Sequence, residues 1–530
     1  MSNYYNMPNL PTENSPQVEI FVDDKAVMVP SDTNLLEALK AVGIETPHVC
    51  YHPYLPVSGN CRQCLVEQEG PRGCMLVIAC YTPVMPGMKI FTPASSERVK
   101  NARKATSEFM LVNHPLDCPI CDKAGECTLQ ENYMEVGQNA SRLRPEIGKN
   151  YHGNPEHQFM DTKGQVRGGK HIDIGPRVVL DEERCVQCDR CVRFMRSIAG
   201  SEQLQLAGRG DHTYITTFPG EKLDHEYDLC VTDICPTGAM TAKYFRFQKR
   251  VWLLSHTPTV AMDDSLGANI WLDHSDGKIY RMMPRCNPSV NRSWISNTTR
   301  LACLDFNKNR LPATELSPLT LQEGKIAIVA GGSCTNEDLA VIKSLKETLG
   351  DKVYLFGGSF LNKNTPDGIS KSGDPVANRK AMELMGFTDV LELPKTASEF
   401  KYLITVNADL YGENAELAKV LDVIPEHIAF SAFNDETVKK ASVVYGVRHW
   451  SEVRGTMINS LSMLQKLNAA PTCPDENLLP VFATVSKVFA LPFMNETEAY
   501  AKASSYIPEL ANYNYETIKS TGVLLDGGKA

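Results

Sequence analysis

No apolar run in this 530-residue chain approaches the roughly 18 residues that would read as a membrane-spanning helix. Positive charge is also short. Lys and Arg number 54 against 63 Asp and Glu, and the net charge of −9 gives no support to nucleic-acid binding, which wants a basic face. The opening MSNYYNMPNLPTENSPQ is polar and arginine-free, unlike a signal peptide or a mitochondrial transit peptide. Residues 1–16 are therefore expected to form a disordered leader, with the cytoplasm as the expected compartment. The chain has no nucleophile elbow, no P-loop and no full G-x-G-x-x-G. Gly331-Gly332-Ser333 follows a strand-like run and reads as an ordinary βα turn. No short-period repeat is present.

What the chain does have is cysteine, unevenly placed. Of 17 cysteines, 13 fall between Cys50 and Cys235 and four follow. Without an export signal a disulfide framework is not expected, because reducing compartments keep thiols free. Clustered cysteines in that setting point to metal or to catalysis.

Three sets stand out. Cys50, Cys61, Cys64 and Cys80 form a C-x10-C-x2-C-x15-C pattern, and four thiolates suit either a [2Fe–2S] cluster or zinc. Gly59, between small residues, lets the backbone approach and donate N–H groups to sulfur. Cys80 is preferred over Cys74 because it follows the strand-like MLVIA, whereas Cys74 reads as a spare loop thiol. The second set is HPLDCPICDKAGEC, with His114, Cys118, Cys121 and Cys127. Alone it fits a Cys3His zinc knot as well as an iron–sulfur centre. An imidazole in place of a thiolate makes a cluster less negative and raises its potential, by the logic of Rieske centres. The third set is ERCVQCDRCVRF, with Cys185, Cys188 and Cys191, closed by Cys235-Pro236. A C-x2-C-x2-C triplet with a distant Cys-Pro is the bacterial ferredoxin arrangement for [4Fe–4S]. Met195 holds the place of the nearby fourth cysteine, and Cys230 reads as a buried or neighbouring thiol. Next to that triplet, the middle set is better read as an electron centre. Three centres in succession, with no substrate-like constellation between them, read as a wire. Cys286, Cys303, Cys334 and Cys473 share no short spacing and read as core or surface thiols. His152, His157 and His171 read as solvated loop histidines.

The length calls for several domains. Residues 18–29 alternate as a hairpin around Asp23-Asp24. SDTNLLEALKAVGI carries Ser/Asp/Thr start signals and a glycine stop, which predict a helix. LVEQEG and MLVIAC suggest further strands, in the order of a β-grasp ferredoxin. The spacing predicts a helix over 95–113, with Val99, Ala102, Thr106, Phe109 and Val112 on one face. Residues 141–180 show no clear helix. NIWLDHSDGKIYRMMP predicts a hairpin turning at Ser275-Asp276-Gly277. From Gly324 onward, strands alternate with helices, as in a mostly parallel α/β domain.

The words ACYTPV (79–84), NHPLDCPICDKAGECTLQ (113–130), ERCVQCDRCVRF (183–194), CPTGAMTAK (235–243) and WISNTTR (294–300) carry a specific resemblance. Over about residues 18–310 the chain resembles the large iron–sulfur subunits of respiratory complex I, the G-type or 75 kDa family of NADH-quinone oxidoreductase. The resemblance implies [2Fe–2S] on the first set, [4Fe–4S] with His114 as one ligand on the second, and [4Fe–4S] on the third. It implies an electron-relay role, with a flavin/NADH-binding subunit upstream and ferredoxin-like and quinone-site subunits downstream. Such a subunit would sit peripherally on the cytoplasmic face of a bacterial inner membrane, without a span of its own. SEVRGTMIN (451–459) weakly resembles the signature of a molybdopterin-oxidoreductase domain, implying a shortened version without molybdenum cofactor. The extra four-cysteine motif of some bacterial members is missing.

The expected fold is multidomain, α+β and α/β. After the leader come a β-grasp 2Fe-2S domain (17–96), a His(Cys)3 cluster segment (97–140) and a 4Fe-4S ferredoxin-like domain (141–247). A β-rich segment (248–318) and the degenerate molybdopterin-oxidoreductase-like α/β domain (319–530) complete it. Two competing readings remain: the diaphorase side of an NAD-linked hydrogenase or formate dehydrogenase, and a zinc-stapled interaction scaffold.

Overall fold

The structure, a computed structural model, describes residues 7–112, 114–137, 169–210, 213–358, 365–413 and 415–525. The chain divides into two compact units, Met1–Leu253 and Leu254–Ala530.

In the first unit, β1 (Gln17–Val22) and β2 (Lys25–Pro30) pair antiparallel about Asp23 and Asp24. Both turn residues take positive φ, 50° and 63°, as a tight hairpin twisted like its strands requires. Helix α1 (Leu35–Ala41) starts one residue after the Ser-Asp-Thr signal, because the Asn34 side chain accepts the Glu37 N–H. Strands β3 (Leu65–Gly70) and β4 (Gly73–Ile78) form a second hairpin, and β5 (Lys89–Phe91) lies parallel to β1. The order β2-β1-β5-β3-β4 is a β-grasp sheet. Leu35, Leu36 and Leu39 of α1 pack with Ile20, Val29, Val66 and Ile90 of the sheet, all buried. Each such side chain contributes about 1.5–3 kcal/mol of burial.

Helix α2 (Glu97–Leu111) is capped by Ser96, and its buried face differs from the one the spacing predicts. Val99, Arg103, Ser107 and Glu108 face inward, while Phe109 is 69% exposed. The reason is polar: the Arg103 guanidinium donates to the Leu65 carbonyl of β3 at 2.9 Å, which turns that side of the helix toward the sheet. Helix α3 (Thr128–Val136) begins directly after Cys127.

The rest of this unit is a small three-stranded sheet of β6 (Ile172–Asp173), β7 (Val178–Leu180) and, further along the chain, Met240–Ala242. Helix α4 (Arg190–Ser197), the hairpin β8 (Leu204–Ala207)–β9 (Tyr214–Thr217) and helix α5 (Cys230–Ile234) lie between, and Met240–Ala242 is β10. Of the histidines between 141 and 180, His171 is exposed; His152 and His157 lie outside the described residues.

The second unit opens with an antiparallel sheet of β11 (Ser255–Val260), β12 (Asn269–Ser275) and β13 (Lys278–Pro284). The β12–β13 turn is at Asp276 and Gly277, both with positive φ. The α/β part is a six-stranded, wholly parallel sheet. Its strands are β14 (Lys325–Ala330), β15 (Val353–Gly357), β16 (Thr388–Asp389), β17 (Phe400–Val406), β18 (Glu426–Ser431) and β19 (Val443–Gly446), in the order β16-β15-β14-β17-β18-β19. Along β14, Ile326 and Ile328 enter one core and Ala327 and Val329 another, so both faces of the sheet are covered. The β-rich segment shares its core with this part: Ile270, Leu272 and Met282 pack in one cluster with Trp450, Met457 and Leu467. The turn after β14 is filled by its own chain, since a Cβ on Gly331 would lie 1.8 Å from the Asn407 carbonyl oxygen.

Candidate electron-transfer centres

The first set is built on the β-grasp edge. The loop from α1 to β3 supplies Cys50, Cys61 and Cys64, and the residue pair after β4 ends in Cys80; all four are buried. The four thiols pair up, Cys50 with Cys61 and Cys64 with Cys80. Each pair holds one thiol down, Cys61 and Cys64, and pushes its partner up, Cys50 and Cys80. Backbone N–H groups of Val49 and Gln63 also point at the Cys61 sulfur. Gly59 (φ 68°) lets the loop close in, and the Gln63 amide Nε2 is buried with no hydrogen-bond partner. Four sulfurs, converging N–H donors and a spare buried donor fit a cluster with sulfides of its own. Cys74, the rival, sits exposed on β4 rather than in a loop.

The second set lines a single cavity: His114, Cys118, Cys121 and Cys127, with Asp117, Arg184 and Gly238. Burial, then the Arg184 guanidinium, lowers the His114 imidazole to about 4, so the ring is neutral and a lone pair is free for a metal. Its Nδ1 is buried and has no hydrogen-bond partner. Cys127 stands at the N-terminus of α3, and the Leu129 and Gln130 N–H groups there favour its thiolate. Burial pushes the Cys121 and Cys127 thiols up, which a bound cation would reverse.

In the third set Cys185 and Cys188 lie on a loop, Cys191 on α4, and Cys235 ends α5. Their sulfurs face one another: Cys185, Cys188 and Cys235 all raise the pKa of Cys191 behind its burial. Cys188 is pushed up to about 12 by burial. Gln187 and Asp189 take positive φ, 52° and 57°, and the Gln187 N–H reaches the Cys185 sulfur at 3.4 Å. Cys230 is fully buried on α5. Among the described residues no group of three or more His, Cys, Asp or Glu side chains converges as the donors of one metal ion would. A cluster spreads its four ligands over two irons in [2Fe–2S] and four in [4Fe–4S], so its ligands stand around a larger space than those of one ion.

The three sets are wired together by hydrogen bonds. Arg193 donates to the carbonyls of Pro56, Cys50 (2.5 Å) and Cys188 (3.2 Å), and pairs with Asp189 at 2.6 Å. Ser58 donates to the same Asp189 at 2.9 Å, and the Asn60 amide to the Gln187 carbonyl at 3.3 Å. The turn at 235–238 serves two sets: Cys235 faces the third, while Cys127 reaches the Pro236 carbonyl at 3.5 Å. Sequence reasoning did not single out Gln63, Arg184, Arg190 or Arg193. The signal for three of them was present, since Arg184, Arg190 and Arg193 all sit inside the third motif beside its cysteines.

Four family models match consecutive stretches of the chain. A 2Fe-2S iron-sulfur cluster binding domain covers 15–94, and an NADH-ubiquinone oxidoreductase-G iron-sulfur binding region covers 103–142. The ferredoxin-like domain of NADH-quinone oxidoreductase subunit 3 covers 175–241, and an NDSU1/NuoG-like 4Fe-4S domain covers 254–304. That last stretch holds just two cysteines here, Cys286 and Cys303. The chain is 38% identical over 331 residues to the NADH-ubiquinone oxidoreductase 75 kDa subunit of Reclinomonas americana, covering 62% of this chain and 43% of that protein. It is 34% identical over 343 residues to the G-type subunit of the NADH-quinone oxidoreductase of Rickettsia bellii, covering 64% and 46%. The 78 kDa mitochondrial subunit of Candida albicans is 34% identical over 358 residues, covering 63% and 47%. The chain thus spans less than half the length of these relatives. Over 15–94, 103–142, 175–241 and 254–304, the chain is similar to the iron–sulfur domains of G-type (75 kDa) subunits of NADH-quinone oxidoreductase.

Proposed function

We propose that this protein is the iron–sulfur electron-relay subunit of an NADH:quinone oxidoreductase. Electrons would enter from a flavin-bearing, NADH-oxidising partner and leave to ferredoxin-like and quinone-site partners. The observation that carries this reading is the single cavity formed by His114, Cys118, Cys121 and Cys127, joined by the turn at 235–238 to the ferredoxin set.

In this reading Cys50, Cys61, Cys64 and Cys80 hold [2Fe–2S]. His114, Cys118, Cys121 and Cys127 hold one [4Fe–4S], and Cys185, Cys188, Cys191 and Cys235 hold another. The clusters supply one-electron chemistry. The chain's own residues bury them, fix their spacing and tune them through N–H donors and nearby charge. The arginine bonds from α4 to the Cys50 loop serve this end, because they hold two sets at a fixed separation. No helix among the described residues is long and apolar enough to cross a membrane. Association with the cytoplasmic face of the membrane would therefore come through partner subunits. The α/β part of the second unit is read as a shortened molybdopterin-oxidoreductase-type domain acting as a scaffold; its filled Gly331 turn supports a role without that cofactor.

Anaerobic purification of the native assembly tests the relay. NADH is expected to reduce the clusters, seen as EPR signals, with quinone reoxidising them. Co-purifying hydrogenase or formate dehydrogenase subunits would overturn the complex I assignment.

A further inference from the structure

Arg190 opens α4, one residue ahead of Cys191, and is 7% exposed. One terminal nitrogen donates to the Tyr51 carbonyl at 2.5 Å and the other to the Ile234 carbonyl at 3.1 Å. Tyr51 follows Cys50 in the first set, and Ile234 precedes Cys235 in the third. The remaining donor, Nε, is buried with no hydrogen-bond partner.

Arg193, one helical turn on, shows what a neutralised arginine looks like here. It forms a 2.6 Å ion pair with Asp189, which also accepts from Ser58. Arg190 has no such carboxylate partner among the described residues. Besides Asp189, the repelling Arg193 and the imidazoles of His48 and His52, which burial and the arginines hold neutral, the groups that face it are the thiols of Cys188 and Cys235 from the third set and Cys50 from the first. An arginine keeps its charge even when buried, and a buried, unpaired charge is costly. A cluster held by four thiolates carries net negative charge, and one that gains an electron carries more.

We propose that Arg190 is a positioning residue shared by two centres. Its guanidinium is the counter-cation of both the [2Fe–2S] and the ferredoxin-type [4Fe–4S] cluster, and it raises the reduction potentials of the two together. This rests on the cluster reading given above. Tyr51 and Ile234 hold the guanidinium between the sets, and Nε is left to donate to a cluster sulfur. A fixed positive charge at that point favours the reduced form of each cluster, so one side chain sets the level of two stations.

The test compares Arg190→Gln and Arg190→Lys with the wild-type full chain, isolated anaerobically. Iron and acid-labile sulfide are counted first, and EPR-monitored redox titrations follow. An iron-complete R190Q is expected to lower both midpoints, each by a tenfold or larger change in the reduction equilibrium, about 59 mV for one electron. R190K is expected to keep both midpoints within half of that shift. An iron-complete R190Q that moves one midpoint or neither overturns the proposal. If R190Q does not hold iron, R190K decides. Full iron with near-wild-type midpoints supports a role for charge. Lost iron, or midpoints lowered by the full tenfold, shows that the guanidinium acts by packing and overturns it. A wild-type chain without iron or sulfide would instead sink the cluster reading, which is a separate failure.

Discussion

Gly238 lies against the sulfur of Cys121 so closely that a Cβ on Gly238 would sit 2.2 Å from it. The two residues come from different sequence motifs, 117 positions apart. The glycine of the ferredoxin word CPTGA is therefore part of the wall of the histidine-bearing site.

Gly238→Ala should accordingly damage the middle centre first. The added methyl displaces a ligand sulfur rather than a flexible tip. Overpacking of this kind costs about 1–3 kcal/mol. Iron should fall by about four per chain, while the [2Fe–2S] EPR signal persists. Unchanged iron and unchanged spectra would contradict the placement.

His114 should be a ligand that sets potential. Exchanging the neutral imidazole for a thiolate adds negative charge to the site. His114→Cys should therefore retain iron and lower the middle midpoint, while His114→Ala should lose or visibly alter that cluster's signal. An unaltered spectrum in His114→Ala would show that the imidazole, despite lining the cavity, binds no iron.

The second unit carries a pH-sensitive buried carboxylate. Glu337 is fully buried, accepts the Thr456 N–H (2.8 Å) and hydroxyl (2.9 Å), and is raised by burial from 4.5 to about 7. The folded state thus holds its proton more tightly than the unfolded chain. Its contribution to stability is full below pH 4.5 and is lost as the pH rises to about 7, roughly 3 kcal/mol at most. His449 and His427, both lowered by burial, work in the opposite direction, so the difference between proteins is the informative quantity. Denaturant unfolding at pH 5 and pH 8 should show Glu337→Gln gaining on wild type as the pH rises. A constant difference would contradict this assignment.

Arg310 and Glu452 form a two-pronged ion pair, 2.6 and 2.8 Å, with side chains 5% and 1% exposed. Removing one partner leaves a buried charge alone, at about 3–5 kcal/mol. Arg310→Met should lower the thermal transition of the second unit markedly. Arg310→Met combined with Glu452→Gln should recover part of the loss, and the iron count should not change. Equal losses in the single and double variants would mean that the pair is worth little.

Strand and helix positions were legible wherever period and turn chemistry agreed. The Asp23-Asp24 and Asp276-Gly277 turns are such cases. The face of α2 was not legible, because Arg103 reaches a backbone carbonyl and overrides the apolar stripe through Phe109. Spacing suggests four candidate ligands for each set, twelve cysteine and histidine side chains in all but with a single histidine, His114. Their mutual arrangement could not be read from it, since it depends on Arg190 and Arg193 bonding to carbonyls more than 130 positions away. Backbone acceptors leave no trace in a sequence. A strand pattern likewise does not show what it packs on: Ile270 and Leu272 read as strand residues, and Trp450 and Leu467 complete their core.

The central claim, three iron–sulfur centres on twelve named ligands, is tested most directly by metal and acid-labile sulfide analysis of the anaerobically isolated chain. About ten irons with matching sulfide per chain are expected. Stoichiometric zinc with no sulfide would contradict it.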